Sequence, residues 1–132
     1  MSLKRHKATA FAMSMLLLAG ILGASLGVAM AGSRGNLSTG FNLIGGPLSA
    51  DVQPTEFVSC LPSDSWDAVY IWNASKQEWK HYFNATGSVP KYINDTKVGG
   101  IDKIPQLSGV VIIMKKNVSG AIVPEGPGQG CS

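Results

Sequence analysis

An apolar run from Ala8 to Met30 most constrains what this chain can fold into, because it divides the sequence in two. Lys4, Arg5, His6 and Lys7 precede the run, and Ala29-Met30-Ala31 closes it with an A-x-A site. A basic start, an apolar middle and small residues at the cut are the three parts of a secretory signal. Cleavage after Ala31 leaves residues 32–132, which is 101 residues, for the folded part. The alternative is a retained membrane anchor, since a span takes roughly 20 apolar residues. Glycines at 20, 23 and 27 favour cleavage. Both readings place the remainder outside the cytoplasm, and only a retained segment 1–31 would touch the membrane.

Removing the signal changes the charge argument. Three of the 11 basic residues (Lys4, Arg5 and Lys7) lie in it, leaving 8 basic against 8 acidic side chains in residues 32–132. A nucleic-acid partner requires a basic face to displace counterions, and a neutral remainder offers none. Near-zero charge also lowers the barrier to self-association. Cys60 and Cys131 are the only cysteines. In an oxidising compartment they are expected to form one internal disulfide, with an intermolecular bridge as the alternative.

Residues 32–132 contain six asparagines, and five begin an Asn-x-Ser/Thr sequon: Asn36, Asn73, Asn84, Asn94 and Asn117. Chance pairing would give about one, so the pattern points to N-linked glycosylation of a surface. The plainer reading is that Asn, Ser and Thr all favour turns and therefore co-occur.

The remainder reads as mainly β. Residues 32–40 are Gly, Ser, Arg, Asn and Thr with one leucine and read as a flexible leader. Phe41 to Ile44 is a short strand before Gly45-Gly46-Pro47. Pro54 opens a short helix running to Leu61, with Phe57, Val58 and Leu61 inward. Trp66 to Asn73 is rich in Trp, Val, Tyr and Ile, and Glu78 to Asn84 returns after a turn, so the two predict a hairpin. Alternation puts Trp79, His81 and Phe83 on one face of the return strand and Lys80 and Tyr82 on the other. Residues 85–107 are weakly patterned. Val110 to Met114 is continuously apolar, as in a central strand or one buried on both faces. Ala121 to Val123 adds an edge strand, and residues 125–132 form a flexible glycine-rich tail. The expected fold is a small compact antiparallel sheet or partly open barrel over residues 41–124, with one short helix, after the N-terminal hydrophobic helix.

Chemistry is hard to find. His81 is the only histidine after the signal, so a zinc site lacks ligands. Bridged cysteines leave no thiol nucleophile. Asp64 and Asp67 flank Trp66 but match no calcium-loop spacing. No nucleophile elbow or phosphate-cradling loop is present. No cofactor and no enzymatic activity are expected.

Three segments do form a pattern: Gly40-Phe41-Asn42-Leu43-Ile44, then Ala68 to Asn73 with Trp79-Lys80-His81-Tyr82, then Gly109 to Ile113. Over residues 40–114 this resembles small β-rich accessory domains of secreted prokaryotic surface proteins, which open on Gly-Trp-Asn-Leu. Phe41 stands where that family has tryptophan, and Val110-Val111 replace a final aromatic pair. The resemblance implies an extracellular binding or structural module and brings no catalytic residues.

Two functions follow as expectations. One is a secreted or cell-surface structural or interaction protein, a self-assembling coat or filament subunit whose leader donates a strand to a neighbour. Its partners would be further copies of itself or other extracellular proteins. The other is a carbohydrate-binding module in which Trp66, Tyr70 and Trp72, which share strand parity, stack against the rings of extracellular glycans; the plainer reading is that a small β domain uses these rings as its core.

Overall fold

The computed structural model describes residues 35–85 and 89–132. The expected signal segment 1–31, residues 32–34 of the expected leader and Thr86 of one sequon lie outside the described residues. The chain is mainly β. Its strands are β1 (Gly35–Leu37), β2 (Gly40–Gly45), β3 (Trp66–Asn73), β4 (Glu78–Phe83), β5 (Gly109–Met114) and β6 (Val118–Ala121). One helix, α1 (Pro54–Phe57), and two 3-10 turns, Lys91–Asn94 and Thr96–Val98, complete the described elements. β2, β5, β3 and β4 form an antiparallel sheet in that order, and β1 pairs with β6 in a separate ribbon. Of the two expected architectures the open sheet is the one formed, with β2 and β4 as its edges.

The hairpin arises as its sequence predicts. Asn73 pairs with Glu78 and Trp72 with Trp79, leaving Ala74 to Gln77 as the loop. Asn73 stabilises that loop through its side-chain oxygen, which accepts from the Ser75 hydroxyl at 2.8 Å. Asx contacts of this kind offer the backbone a turn in place of a ladder. β5 lies between β2 and β3, and its apolar run serves both faces. Val110, Ile112 and Met114 point into the core with Ile44, Val69 and Ile71. That inner face is covered by Phe57, Val58 and Leu61 from the helical segment, and by Ile101, Ile104 and Val123.

Several expectations need correction. The helix ends at Phe57, not Leu61, because Val58 leaves helical geometry at φ −96°, ψ 0°. Phe57, Val58 and Leu61 are nevertheless all buried. The leader is not free from Gly35 onward: β6 gives it a strand partner, and Leu37 is buried in the core. For the same reason the last strand is Val118–Ala121, not Ala121 to Val123. The tail is pinned despite its glycines. Ser49 N donates to Glu125 O at 2.9 Å, and Glu125 N donates to the Gln129 side chain at 2.7 Å. Gly126 passes so close to Ser49 that a Cβ there would sit 1.9 Å from its Oγ.

The edge of β4 is covered by the stretch that looked unpatterned. His81 N donates to Gly99 O at 3.1 Å, and Ile101 N donates to His81 O at 2.9 Å. Gly99 adopts φ +94°, and a Cβ on Gly100 would lie 2.0 Å from the Asn94 carbonyl oxygen, so this crossing requires the glycine pair.

Cys60 and Cys131 are joined, with Cα atoms 5.3 Å apart and a sequence separation of 71. Closing a loop of that length restricts the unfolded chain by about 4 kcal/mol. Reduction, or Cys131→Ser, is expected to lower unfolding free energy by about that amount, measured by urea denaturation with and without reductant. An unchanged midpoint would contradict the assignment.

Candidate functional site

Strand alternation gives the four-stranded sheet a second face, and its composition is unusual for a surface. From β2 it presents Phe41 and Leu43, and from β5 Val111 and Ile113. β3 adds Ala68, Tyr70 and Trp72, and β4 adds Trp79, His81 and Phe83. None of these side chains is a carboxylate, lysine or arginine. Phe41 is 69% exposed, Trp79 55% and Trp72 44%. Isolated exposed apolar residues are ordinary, whereas a contiguous patch marks an interaction surface.

The rings are arranged by register. Trp72 and Trp79 are directly opposed and meet edge to face, with centroids 5.3 Å apart. Tyr70 meets Phe83 edge to face at 6.0 Å. Phe41 and Trp79 wall a shallow trough of about 330 Å³ whose floor is Tyr70, Val111 and Ile113. His81 belongs to the fold: its Nε2 lies 2.7 Å from the Ile93 carbonyl oxygen, and its ring tilts against Phe83 at 5.0 Å.

The expected aromatic platform of Trp66, Tyr70 and Trp72 is not formed as a set. Trp66 is 5% exposed and stacks on Tyr82 at 6.0 Å, within the core. The register shifts between Trp66 and Ala68 opposite β5, so Asp67 is an extra residue that turns Trp66 to the inner face. A bulge re-aims a side chain in this way, and simple parity cannot anticipate it. Burial also pushes the Tyr82 hydroxyl above its ordinary range. Phe41 and Trp79 take the place of Trp66 on the outer face. Trp79 had a sequence signal: a four-residue loop after Asn73 places it opposite Trp72.

A second concavity, of about 710 Å³, lies beside the hairpin loop. Its walls mix Asp51 and Asp102 with Lys76, Lys80 and Lys103. Two of these groups have local partners: Lys80 pairs with Glu78 at 2.9 Å, and Asp51 accepts from Gln106 N at 2.8 Å. Asp64 and Asp67 do not converge on an ion. They pair with Lys116 and Lys115 respectively. The Lys116 hydrogen bond holds the Asp64 carboxyl below its usual range. That pair therefore stabilises the fold above the ordinary carboxylate pKa and weakens as pH falls through the lowered value. Among the described residues, no group of three or more His, Cys, Asp and Glu converges.

The five sequons divide by environment. Asn36 and Asn117 are exposed, and each uses its side-chain oxygen: Asn36 accepts from Gly120 N at 3.1 Å and Asn117 from Thr39 N at 2.8 Å. Asn73 sits at the hairpin loop. Asn94 exchanges two hydrogen bonds with the Phe83 backbone, at 2.7 and 2.8 Å, and so acts as a peptide group on the β4 edge. Asn84 is 8% exposed, and its amide nitrogen donates to Ser63 O at 2.7 Å and Trp66 O at 2.8 Å. A sugar on that nitrogen is incompatible with this packing.

Comparison with known proteins gives no match to a family model, a curated protein or a solved structure. Among the described residues no helix is long and apolar enough to cross a membrane. A disulfide of this kind persists in an oxidising environment.

Asn84→Ala is expected to cost about 2–3 kcal/mol, because it removes the amide that donates to the buried Trp66 carbonyl and the part-buried Ser63 carbonyl. Asn117→Gln, which removes a sequon at an exposed site along with the solvent-exposed acceptor for Thr39, is expected to cost no more than about 1 kcal/mol. Urea denaturation of both variants checks the contrast. Equal effects would contradict it.

Proposed function

We propose that this protein is an exported, non-catalytic interaction protein of the cell exterior that docks through the outer face of its four-stranded sheet. The observation that supports this reading most is the uncharged face itself, with Phe41, Trp72 and Trp79 turned to solvent. Holding such rings in water is unfavourable by roughly 25 cal/mol per Å² of apolar surface. Retention of that face makes sense where a partner covers it. The signal-like N-terminus, the disulfide and the sequons support delivery to an oxidising exterior. The resemblance to small accessory domains of secreted surface proteins agrees with that role.

A carbohydrate module is the second reading, favoured by Tyr70 and Trp72 on the same face. It is weaker here. Sugar rings need hydrogen-bonding groups around the stacking ring as well as the ring, and the trough offers only the Tyr70 hydroxyl and the Trp79 indole N–H.

Intact mass of the product from an exporting host tests delivery. The expected species begins at Gly32, carries one disulfide and bears any sugar outside Asn84. A cytosolic polypeptide beginning at Met1 with both thiols reduced would contradict the proposal.

A further inference from the structure

Resting on the reading of an exported docking protein, we propose that the partner at the outer face is a second copy of this chain, packed sheet to sheet. The chemistry of the face narrows the choice. It has no charged side chain with which to recognise a charged partner. None of the five sequons falls on it: Asn36 is in β1, Asn73 has the inward parity of β3, Asn84 is buried, Asn94 is in a 3-10 turn and Asn117 follows β5. The lysines and carboxylates of the described residues lie in loops, in helical turns, on the inward parity of β4 or, for Asp67, at the β3 bulge, where Lys115 pairs with it at 3.2 Å. What fits is another apolar sheet surface.

A second copy supplies that surface without electrostatic cost. Residues 32–132 carry 8 basic and 8 acidic side chains, so two copies have no net repulsion to overcome. The face is also contoured for its own image. Phe41 and Trp79 stand above a floor of Tyr70, Val111 and Ile113, and the trough of about 330 Å³ is large enough for one aromatic side chain. In a two-fold pair each copy offers the same ridge and the same trough, as an isologous contact requires. Aligned sheets stack about 10 Å apart with their side chains interdigitated.

Area sets the strength. Aromatic side chains present about 150–250 Å² each, so the exposed parts of Phe41, Trp72 and Trp79, with Tyr70 and Ile113, give about 500 Å² per copy. A pair would bury about 1,000 Å², the lower bound for a specific interface. The pair is therefore a reversible one, with a dissociation constant on the order of micromolar.

Sedimentation velocity of the secreted product over roughly 1–100 µM tests this. The wild type is expected to move from one chain mass to two. Phe41→Lys with Trp79→Lys is expected to weaken pairing at least tenfold (about 1.4 kcal/mol) while keeping the circular dichroism and melting curve of the wild type. Tyr92→Lys, at a ring 71% exposed in the 3-10 turn beyond the β4 edge, is expected to pair as the wild type does. Pairing that persists in the double variant would overturn the proposal and place the contact elsewhere, for instance at the β2 edge. A wild type that stays monomeric throughout also overturns it. Oligosaccharide binding by that monomer would then give the face to sugars. A mass including residues 8–30 would give it to the chain's own apolar segment. Pairing and sugar binding are read separately from intact mass, so either can fail while the export reading stands.

Discussion

The arrangement depends on β5. Five apolar side chains in succession, from Val110 to Met114, cannot all enter a single core, because a strand sends alternate residues to opposite sides. Within this chain the core takes Val110, Ile112 and Met114. Val111 and Ile113 are left on the other side. Val111 is buried there by its ring-bearing neighbours, and Ile113 is only half covered. The rings that surround them are themselves left in water. One face of the sheet is thus completed by the chain and the other is not.

The remaining features protect this sheet without covering its outer face. The β4 edge is closed by the Asn94 side chain and the Gly99–Gly100 crossing, which occupy backbone groups of His81 and Phe83. The C-terminal tail is tied down by the disulfide to Cys60 and by the hydrogen bond from Ser49 N to Glu125 O. β2 is different: among the described residues no strand pairs with its outer edge, and its sequence from Gly40 to Gly45 has no charge or proline. Native proteins usually blunt such edges. An open edge beside a bare face is consistent with a surface meant to be occupied.

Much of the fold was legible in the sequence because it rests on local signals. The hairpin is written in β-branched and aromatic runs around a short polar loop, and β5 in an unbroken apolar run. The cysteine pair was legible from its number alone. What failed depended on long-range partners. Gly35–Leu37 looked flexible because nothing local reveals that Val118–Ala121 lies beside it. Residues 89–101 looked unpatterned because their role is to cap an edge through one asparagine and two glycines. The site was half legible. Tyr70 and Trp72 were found by parity, and Trp79 was recoverable from the loop length. Trp66 is core, as the plainer reading of the rings has it, but parity alone groups it with Tyr70 and Trp72, because the bulge at Asp67 is set by pairing with β5, not by the residues around it.

The central claim is that the sheet has one face completed by its own chain and one left bare, with the bulge deciding which tryptophans lie on each. Hydroxyl-radical footprinting of the purified protein, in a dilute sample that sedimentation shows to be monomeric, reads this residue by residue. Trp72 and Trp79 should oxidise several-fold faster than Trp66, which lies beneath Tyr82. Equal reactivity of the three, or a Trp66 more reactive than Trp79, would contradict the account.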